Sequence, residues 1–302
     1  MSAPVVVAVV SWNTRELLER CLESLAGDVE AGLASVWVVD NGSSDGSAAL
    51  VAGLPNGIAL KENVGFGAAV DLVAARTASP WLVAANADVA VRPGALAALV
   101  AAGARDVGAG AVAPRLVLPD GSTQHSVHPF PSVPFVAGFN AGLAPRLLGD
   151  CLCLEGHWNP SRARRVPWAI AAFLLIRRSA FLAAGGFGTE RWMYAEDLDL
   201  GWRLRQAGWA TRYEPSAVVD HESAAATSAL WGDERTVRWQ AATYDWLRRT
   251  RGPARARAVY SLNVVGASAR ARGSGWEAER ARGWLDVHRR AWAEGAPSPP
   301  PG

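Results

Sequence analysis

"PVVVAVVSWNTRELLERCLESLAGDVEAGLASVWVVDNGSSDGS", residues 4–47, decides the fold. Val5–Val10 is a continuous, largely β-branched run, as in a strand buried on both faces. Asn13 and Glu16 stand at capping-box spacing ahead of TRELLERCLESLAG. In that segment Leu17, Leu18, Cys21, Leu22 and Leu25 fall on one helical face. A second apolar run, VWVVD at 36–40, begins about thirty residues after the first, the length of a βαβ unit. The sheet therefore starts parallel.

Working outward, the pattern repeats. Strands are expected at 58–60, 81–89, 109–118 and 168–178, with short extended pieces at 210–214 and 217–220. Helical segments AALVAGL, AAVDLVAARTA and PGALAALVAAG lie between the earlier strands, the last opened by Pro93. Another helix follows MYAEDLDL. The uncharged run from Gly121 to Pro145 carries four prolines and reads as a loop. From 232 onward the pattern is helical, basic and dotted with tryptophan, ending in APSPPPG, which reads as disordered. The expected architecture is α/β: a doubly wound, mostly parallel sheet with helices on both faces, plus a C-terminal helical extension. The expected division is 1–225 for the catalytic body, 226–293 for the extension and 294–302 for the tail.

Composition narrows the function classes. A chain of 302 residues, 50% apolar and 19% charged, is long enough for one large α/β core and is not globally disordered. Three cysteines, Cys21, Cys151 and Cys153, form no C-x-x-C pair and no even framework, so a reducing compartment is expected. MSAPVVVAVV lacks the basic start and long apolar region of a secretory signal. VPWAIAAFLLI, 166–176, is 11 residues and too short to span a bilayer. A cytoplasmic protein is expected. Lys61 is the only lysine among 30 basic residues, a base-composition bias that gives no nucleic-acid signal. Residues 226–302 hold 13 Arg against 7 acidic residues, net +6, which leaves −4 for residues 1–225. The basic helices suit either a solvated face or peripheral contact with anionic lipid on the inner membrane face, at ~1 kcal/mol per Arg.

Doubly wound sheets bind ligands beyond the carboxyl ends of their strands. Polar clusters sit where those ends are expected: SWN at 11–13, DNGSSDGS at 40–47, NAD at 86–88 and DHES at 220–223. Asp40 can accept from a nucleobase N–H or a ribose hydroxyl, or simply cap a turn. Gly65 and Gly67 open a helix, where backbone can approach phosphate. Val70 occupies the place of a third glycine, so a dinucleotide fingerprint is incomplete. Asn86 and Asp88 share one side of an extended chain and can hold a hard divalent cation together with phosphates. His221 can add a nitrogen ligand if it lies near Asp88.

The order of these clusters carries more than any one of them. Strand–SWN, VDNGSSDGS, N-x-GFG, N-A-D-V, an arginine-flanked apolar strand, GGF…MYAEDLDL-x-x-R-x-x-x-x-G and V-x-DH resemble the family 2 glycosyltransferases of GT-A fold, from about Val5 to Ser223. Within that family the chain looks most like bacterial rhamnosyltransferases acting on polyprenyl-diphosphate-linked sugars. The resemblance implies that Asp40 contacts the donor base, and that Ser11, Asn13, Asn63, Gly65, Gly67, Asn86 and Asp88 surround a nucleotide-sugar. It implies that Asp88 faces Mg²⁺ or Mn²⁺ with help from His221, that Asp197 is the general base, and that Glu196 is its neighbour at the acceptor. The implied donor is a dTDP-, UDP- or GDP-sugar, with dTDP-rhamnose the best match. The implied acceptor is a glycan, a lipid-linked saccharide or a glycoside. Three positions depart from the pattern: Asp71 for Asn, Ala87 for Pro, and AIAAF at 169–173 for a segment with Ser or Gly. The last borders the acceptor.

This chemistry explains the crowding of Glu196, Asp197 and Asp199. An inverting transfer needs a base for the acceptor hydroxyl and positive charge at the departing diphosphate. Asp197 suits the base, in a site closed by Trp192 and Tyr194. Asp199 and Arg203 form an i,i+4 pair and read as structural. The plain alternative is that all three acids face a helix N-terminus. Two further classes stand beside the transferase. A sugar-phosphate nucleotidyltransferase would want a Gly-rich, basic loop after the first strand, where SWNTRE stands. An inactive binding protein of the same fold would be expected to lose Asp88 or Asp197.

Overall fold

The strand that opens the chain, Val5–Ser11 (β1), lies in the middle of a nine-stranded sheet. The computed structural model describes residues 3–188, 193–222 and 234–295. After β1 come α1 (Arg15–Glu30), β2 (Ala34–Asp40), α2 (Ser47–Ala52), β3 (Gly57–Ala59), α3 (Phe66–Arg76), β4 (Trp81–Asn86), β5 (Val89–Val91), α4 (Ala95–Arg105) and β6 (Ala109–Val117). The second half holds β7 (Val127–His128), α5 (Val133–Asn140), α6 (Leu143–Leu148), β8 (Arg164–Val166), β9 (Trp168–Ala169), β10 (Phe173–Arg177), α7 (Arg178–Ala184), α8 (Glu196–Gln206) and β11 (Ala210–His221). Three helices complete it: α9 (Glu234–Arg251), α10 (Pro253–Ala271) and α11 (Trp276–Glu294).

The sheet order is β3-β2-β1-β4-β10-β6-β11-β5, with β8 also on β11. β3, β2, β1 and β4 are parallel, as are β6 and β11. β10 runs antiparallel to both β4 and β6 and joins the two parallel groups. The expected mostly parallel α/β sheet is present, with β10 reversed in its middle and β5 and β8 antiparallel to β11 at its end.

Alternation along β1 shows why the strands are uniformly apolar. Val5, Val7 and Val9 enter one core with Leu18, Cys21 and Leu25 of α1 and Leu96 and Leu99 of α4. Val6, Ala8 and Val10 enter the other, with Val70 and Val73 of α3, Phe181 of α7 and Leu200 and Leu204 of α8. Both faces are covered, so neither set of side chains can be polar. A third core joins Val136, Trp168 and Leu198 to Tyr244, Trp246, Leu247, Val259 and Ala291 of the last three helices. Among the described residues, no helix is long and apolar enough to cross a membrane.

Several local expectations are corrected. The capping box does not form: Thr14 precedes α1 without a side-chain cap, and Asn13, at φ 52°, accepts the Ser44 N–H at 2.8 Å instead. The segment 121–145 is not all loop. Ser132 caps α5 by accepting from Phe135 N–H, and Pro134 sits in the first turn, where a missing N–H costs nothing. The strand expected at 168–178 breaks after Ala169: β9 pairs with β7 in a separate two-stranded sheet, and α7 starts at Arg178. The pieces at 210–214 and 217–220 are one strand, with a register shift between Glu214 and Val218 around Pro215. The expected APSPPPG tail lies outside the described residues, as do residues 223–233.

Candidate active site

The carboxyl ends of β1, β2 and β4 lie side by side, because Ser11 pairs with Asp40 and Val10 with Asn86. They frame a cavity of about 460 Å³ whose wall includes Trp12, Asn41, Asn63, Asn86, Asp88 and Asp197. α8 delivers Glu196 and Asp197 by its first turn, after Tyr194 and Ala195 take left-handed φ values of 63° and 61°. Those two residues hold a conformation that non-glycine residues adopt only under constraint.

The β2 end is built from side-chain amides. Asn41 donates from Nδ2 to Asn63 Oδ1 at 2.9 Å and accepts the Val64 N–H at 2.9 Å. Gly42 turns the chain at φ 79°, and a Cβ there would lie 2.8 Å from Glu62 backbone, so only glycine fits. Asp40 is fully buried: Oδ2 accepts the Ser43 N–H at 3.1 Å, while Oδ1 has no partner among the described residues. A buried carboxylate oxygen left open is the kind of group a ligand N–H or O–H satisfies.

Asp88 and His221 are brought together across the sheet. β11 pairs antiparallel with β5, which sets His221 opposite Val89, and His221 Nε2 lies 3.2 Å from Asp88 Oδ1. His221 Nδ1 is 2.7 Å from Gln124 Oε1, an acceptor, so Nδ1 carries the proton. In the neutral ring Nε2 then offers a lone pair toward a carboxylate oxygen. Two acceptors facing each other at that distance suit a shared cation, and a mixed O and N donor set favours Mn²⁺ over Mg²⁺, whose ligands are oxygen. Among the described residues no group of three or more His, Cys, Asp or Glu side chains is placed to hold a metal by itself. Any such ion would draw its remaining ligands from substrate phosphate or water.

Asp197 is set up differently. Burial pushes its carboxyl up to about 6, against the opposing N–H groups of Leu198, at 2.7 Å, and Ala171. Asp199, two residues on, is occupied structurally: it takes Arg203 Nε at 2.8 Å and Trp246 Nε1 at 2.9 Å. Arg203 also donates to the carbonyls of Ala184, Gly186 and Phe187. Trp192, expected to help close the site, lies outside the described residues; Tyr194 does line the cavity.

Other expected site residues turn out to shape the loops. Ser11 is buried with its hydroxyl 3.1 Å from Thr14 Oγ1. Asn13 ties β1 to the 43–44 turn. A Cβ at Gly67 would meet Phe187 Cβ at 2.7 Å, so packing against Phe187 by itself requires a glycine there. Gly65 donates its N–H to Asn63 Oδ1 at 2.9 Å, so that group is already used inside the loop. Asp71, which departs from the family pattern, serves the loop that follows α7. It accepts the N–H groups of Phe187 and Gly188, both at 2.9 Å, and burial raises its pKa despite them.

The sequence reading missed Gln124, His125, His128, Arg235, Thr236 and Trp239, all of which line the cavity. Gln124 and His125 sit in the stretch read as loop, and Arg235 and Trp239 in the extension. No local pattern marks them, since Gln124 reaches His221 across 97 positions. His128 completes this side; burial, with His125 beside it, pushes its pKa down to about 3, so it stays neutral.

The model of Glycosyl transferase family 2 matches residues 6–147. The N-acetylglucosaminyl-diphospho-decaprenol L-rhamnosyltransferase of Mycobacterium tuberculosis is 38% identical over 238 residues, covering 73% of this chain and 76% of that protein. A mannosyltransferase from Pyrobaculum calidifontis, solved with GDP-Man and Mn²⁺, superposes with a TM-score of 0.56 at 17% identity, over 97% of this chain and 87% of the other. GalNAc-T7, solved with UDP, GalNAc and Mn²⁺, gives 0.58 at 14% identity, over 94% and 55%. The two structures establish likeness of fold.

Proposed function

The chain belongs to glycosyltransferase family 2, and on that premise we propose that it is an inverting rhamnosyltransferase using dTDP-rhamnose and a polyprenyl-diphosphate-linked saccharide. It is a glycosyltransferase, which sets aside the nucleotidyltransferase alternative. The rhamnosyl and lipid-linked parts rest on the 38% identical relative, whose name specifies that acceptor class.

The observation that carries the mechanism is a raised-pKa carboxylate, Asp197, in the same cavity as the Asp88–His221 pair. In the proposed step the acceptor oxygen attacks the anomeric carbon and its proton passes to Asp197. The bond from that carbon to the diphosphate breaks, and the nucleoside diphosphate leaves with the electron pair. A pKa near 6 keeps Asp197 ionised at neutral pH yet basic enough to take the proton as the oxygen becomes bonded. Asp88 and His221 would hold a divalent cation, Mg²⁺ or Mn²⁺, which when bound would supply positive charge for the departing diphosphate. Asp40, with its open Oδ1, receives the base, and Asn41, Asn63 and Asn86 offer amides to the donor. Glu196 and Tyr194 border the acceptor. In this reading residues 1–225 carry the donor and the base, and the helices beyond complete the wall. The enzyme works in the cytoplasm, at the inner face of the membrane that holds its acceptor.

A calorimetric screen of dTDP-, UDP- and GDP-sugars with Mn²⁺ tests the donor assignment. Metal-dependent binding of dTDP-rhamnose, lost in Asp88→Ala, is the expected result. Product with retained anomeric configuration, read by NMR, would overturn the mechanism.

A further inference from the structure

A larger cavity, about 750 Å³, adjoins the first and plays no part in the mechanism above. Its wall is apolar, with Phe130, Leu147 and Trp202 among its residues, and three arginines, Arg205, Arg251 and Arg255, share it. The guanidinium of Arg251 lies 4.6 Å from the Trp202 ring centroid, and that of Arg205 lies 5.6 Å from the Phe130 ring. The rings hold the cations at the cavity without neutralising them. Among the described residues, none of the three arginines has a carboxylate partner; Arg255 only donates to the Arg251 carbonyl at 3.4 Å. On α6, Leu143, Leu147 and Leu148 are 57%, 75% and 50% exposed, and all three border the cavity.

No described residue lines both cavities, but three stretches of chain run from one to the other. His128 lines the first, and its neighbours Pro129 and Phe130 line the second. α8 has Asp197 in the first and Arg205 in the second, eight residues or about 12 Å further along the helix axis. α9 runs likewise from Trp239 to Arg251. A ligand whose reacting hydroxyl is at Asp197 thus meets unpaired arginines at a distance comparable to one hexose and a diphosphate laid end to end, and beyond them exposed leucines.

We propose that this cavity is the subsite for the acceptor's lipid diphosphate: Arg205, Arg251 and Arg255 take the diphosphate, and the apolar wall takes the first isoprene units. The inference rests on the acceptor class proposed above. Arginine suits the anion because its planar fork gives paired hydrogen bonds to phosphate oxygens. The apolar wall suits the chain attached to it, and the combination selects against a free sugar phosphate, which would leave the leucines in water.

The test is calorimetry on the full chain in EDTA, so that no metal holds a diphosphate at Asp88. The probes are geranylgeranyl diphosphate, inorganic diphosphate and geranylgeraniol. Geranylgeranyl diphosphate is expected to bind at least tenfold more tightly than either of the others. Arg205→Gln combined with Arg251→Gln is expected to weaken it at least tenfold. Leu147→Glu should weaken geranylgeranyl diphosphate but not inorganic diphosphate, with thermal melting confirming that each variant is folded. Equal affinity for geranylgeranyl and inorganic diphosphate would overturn the proposal, as would tight binding indifferent to the arginine changes. Binding only to phosphatidylglycerol vesicles would also overturn it, making the face a membrane contact. Failure of the rhamnosyl reading would appear in the donor screen and leave lipid-diphosphate binding intact; failure here would leave the donor screen unchanged.

Discussion

His221 Nε2 lies 3.2 Å from Asp88 Oδ1, although 133 positions separate the two residues, because the antiparallel β5–β11 pairing registers His221 beside the N-A-D turn. The contact is oriented from behind by Gln124 at 2.7 Å. Removing that outer partner typically costs ~10–100-fold in metal affinity. Gln124→Ala is therefore expected to weaken Mn²⁺ binding by about that factor with the sheet intact, and His221→Ala by more. Titration of Mn²⁺ in the presence of nucleotide-sugar measures both, and wild-type affinity in Gln124→Ala would refute the bridging role.

Asp197 links activity and stability to pH in opposite senses. Only the ionised carboxylate accepts a proton, so kcat/KM is expected to rise with pH through about 6 and then level off. Asp197→Asn should lower kcat ~10²–10⁴-fold with donor affinity little changed. Its folded pKa lies above the unfolded value, so the native state binds the proton more tightly. Stability from this group is full below pH ~4 and is lost as pH rises through about 6. Asp197→Asn is thus expected to stabilise the protein at pH 8, by on the order of 3 kcal/mol, and to have little effect at pH 4. Urea unfolding at the two pH values decides this.

The loop from Gly185 to Gly188 is held from two sides, by Asp71 accepting from Phe187 and Gly188 and by Arg203 donating to Gly186 and Phe187. Asp71→Ala leaves two N–H groups without their acceptor, and a loss of about 2 kcal/mol is expected from denaturant midpoints. Donor affinity should be unaffected, which separates this structural clamp from a donor contact.

The last three helices close the core rather than hang from it. Trp246 is fully buried and donates to Asp199 in the first turn of α8. Trp246→Phe should cost about 1 kcal/mol for the hydrogen bond. A chain ending at residue 233 would expose Trp168, Leu198 and their neighbours. It is expected to be insoluble or to lose cooperative melting.

Much of this was legible from residues 4–47 alone, because a strand buried on both faces and a one-faced helix leave strong periodic signals. Asp40, Asn86, Asp88 and His221 were legible as strand ends. Their convergence depends on sheet order, which local spacing does not carry. β10 shows the limit: FLLIR reads as a buried strand in either direction, so its reversal between β4 and β6 was invisible. α5 was hidden by its prolines, which read as loop breakers until Pro134 is seen in a first turn. Gly67 carried a true signal, that only glycine fits, and the Phe187 ring packed against it, 120 positions on, was not legible.

The reversed strand β10 has a consequence for synthesis on the ribosome. β1 to β4 are complete by Asn86, yet β4 has no neighbour on its far side until Phe173–Arg177 emerges. At translation rates of about 5–20 residues per second, that interval lasts roughly 4–17 s. Throughout it, the N–H and C=O groups along one side of the apolar strand Trp81–Asn86 stay unpaired, an edge that another nascent chain can extend. The fold thus postpones its central seam, and yield in a cell should respond to translation speed between residues 87 and 172 more than to speed elsewhere.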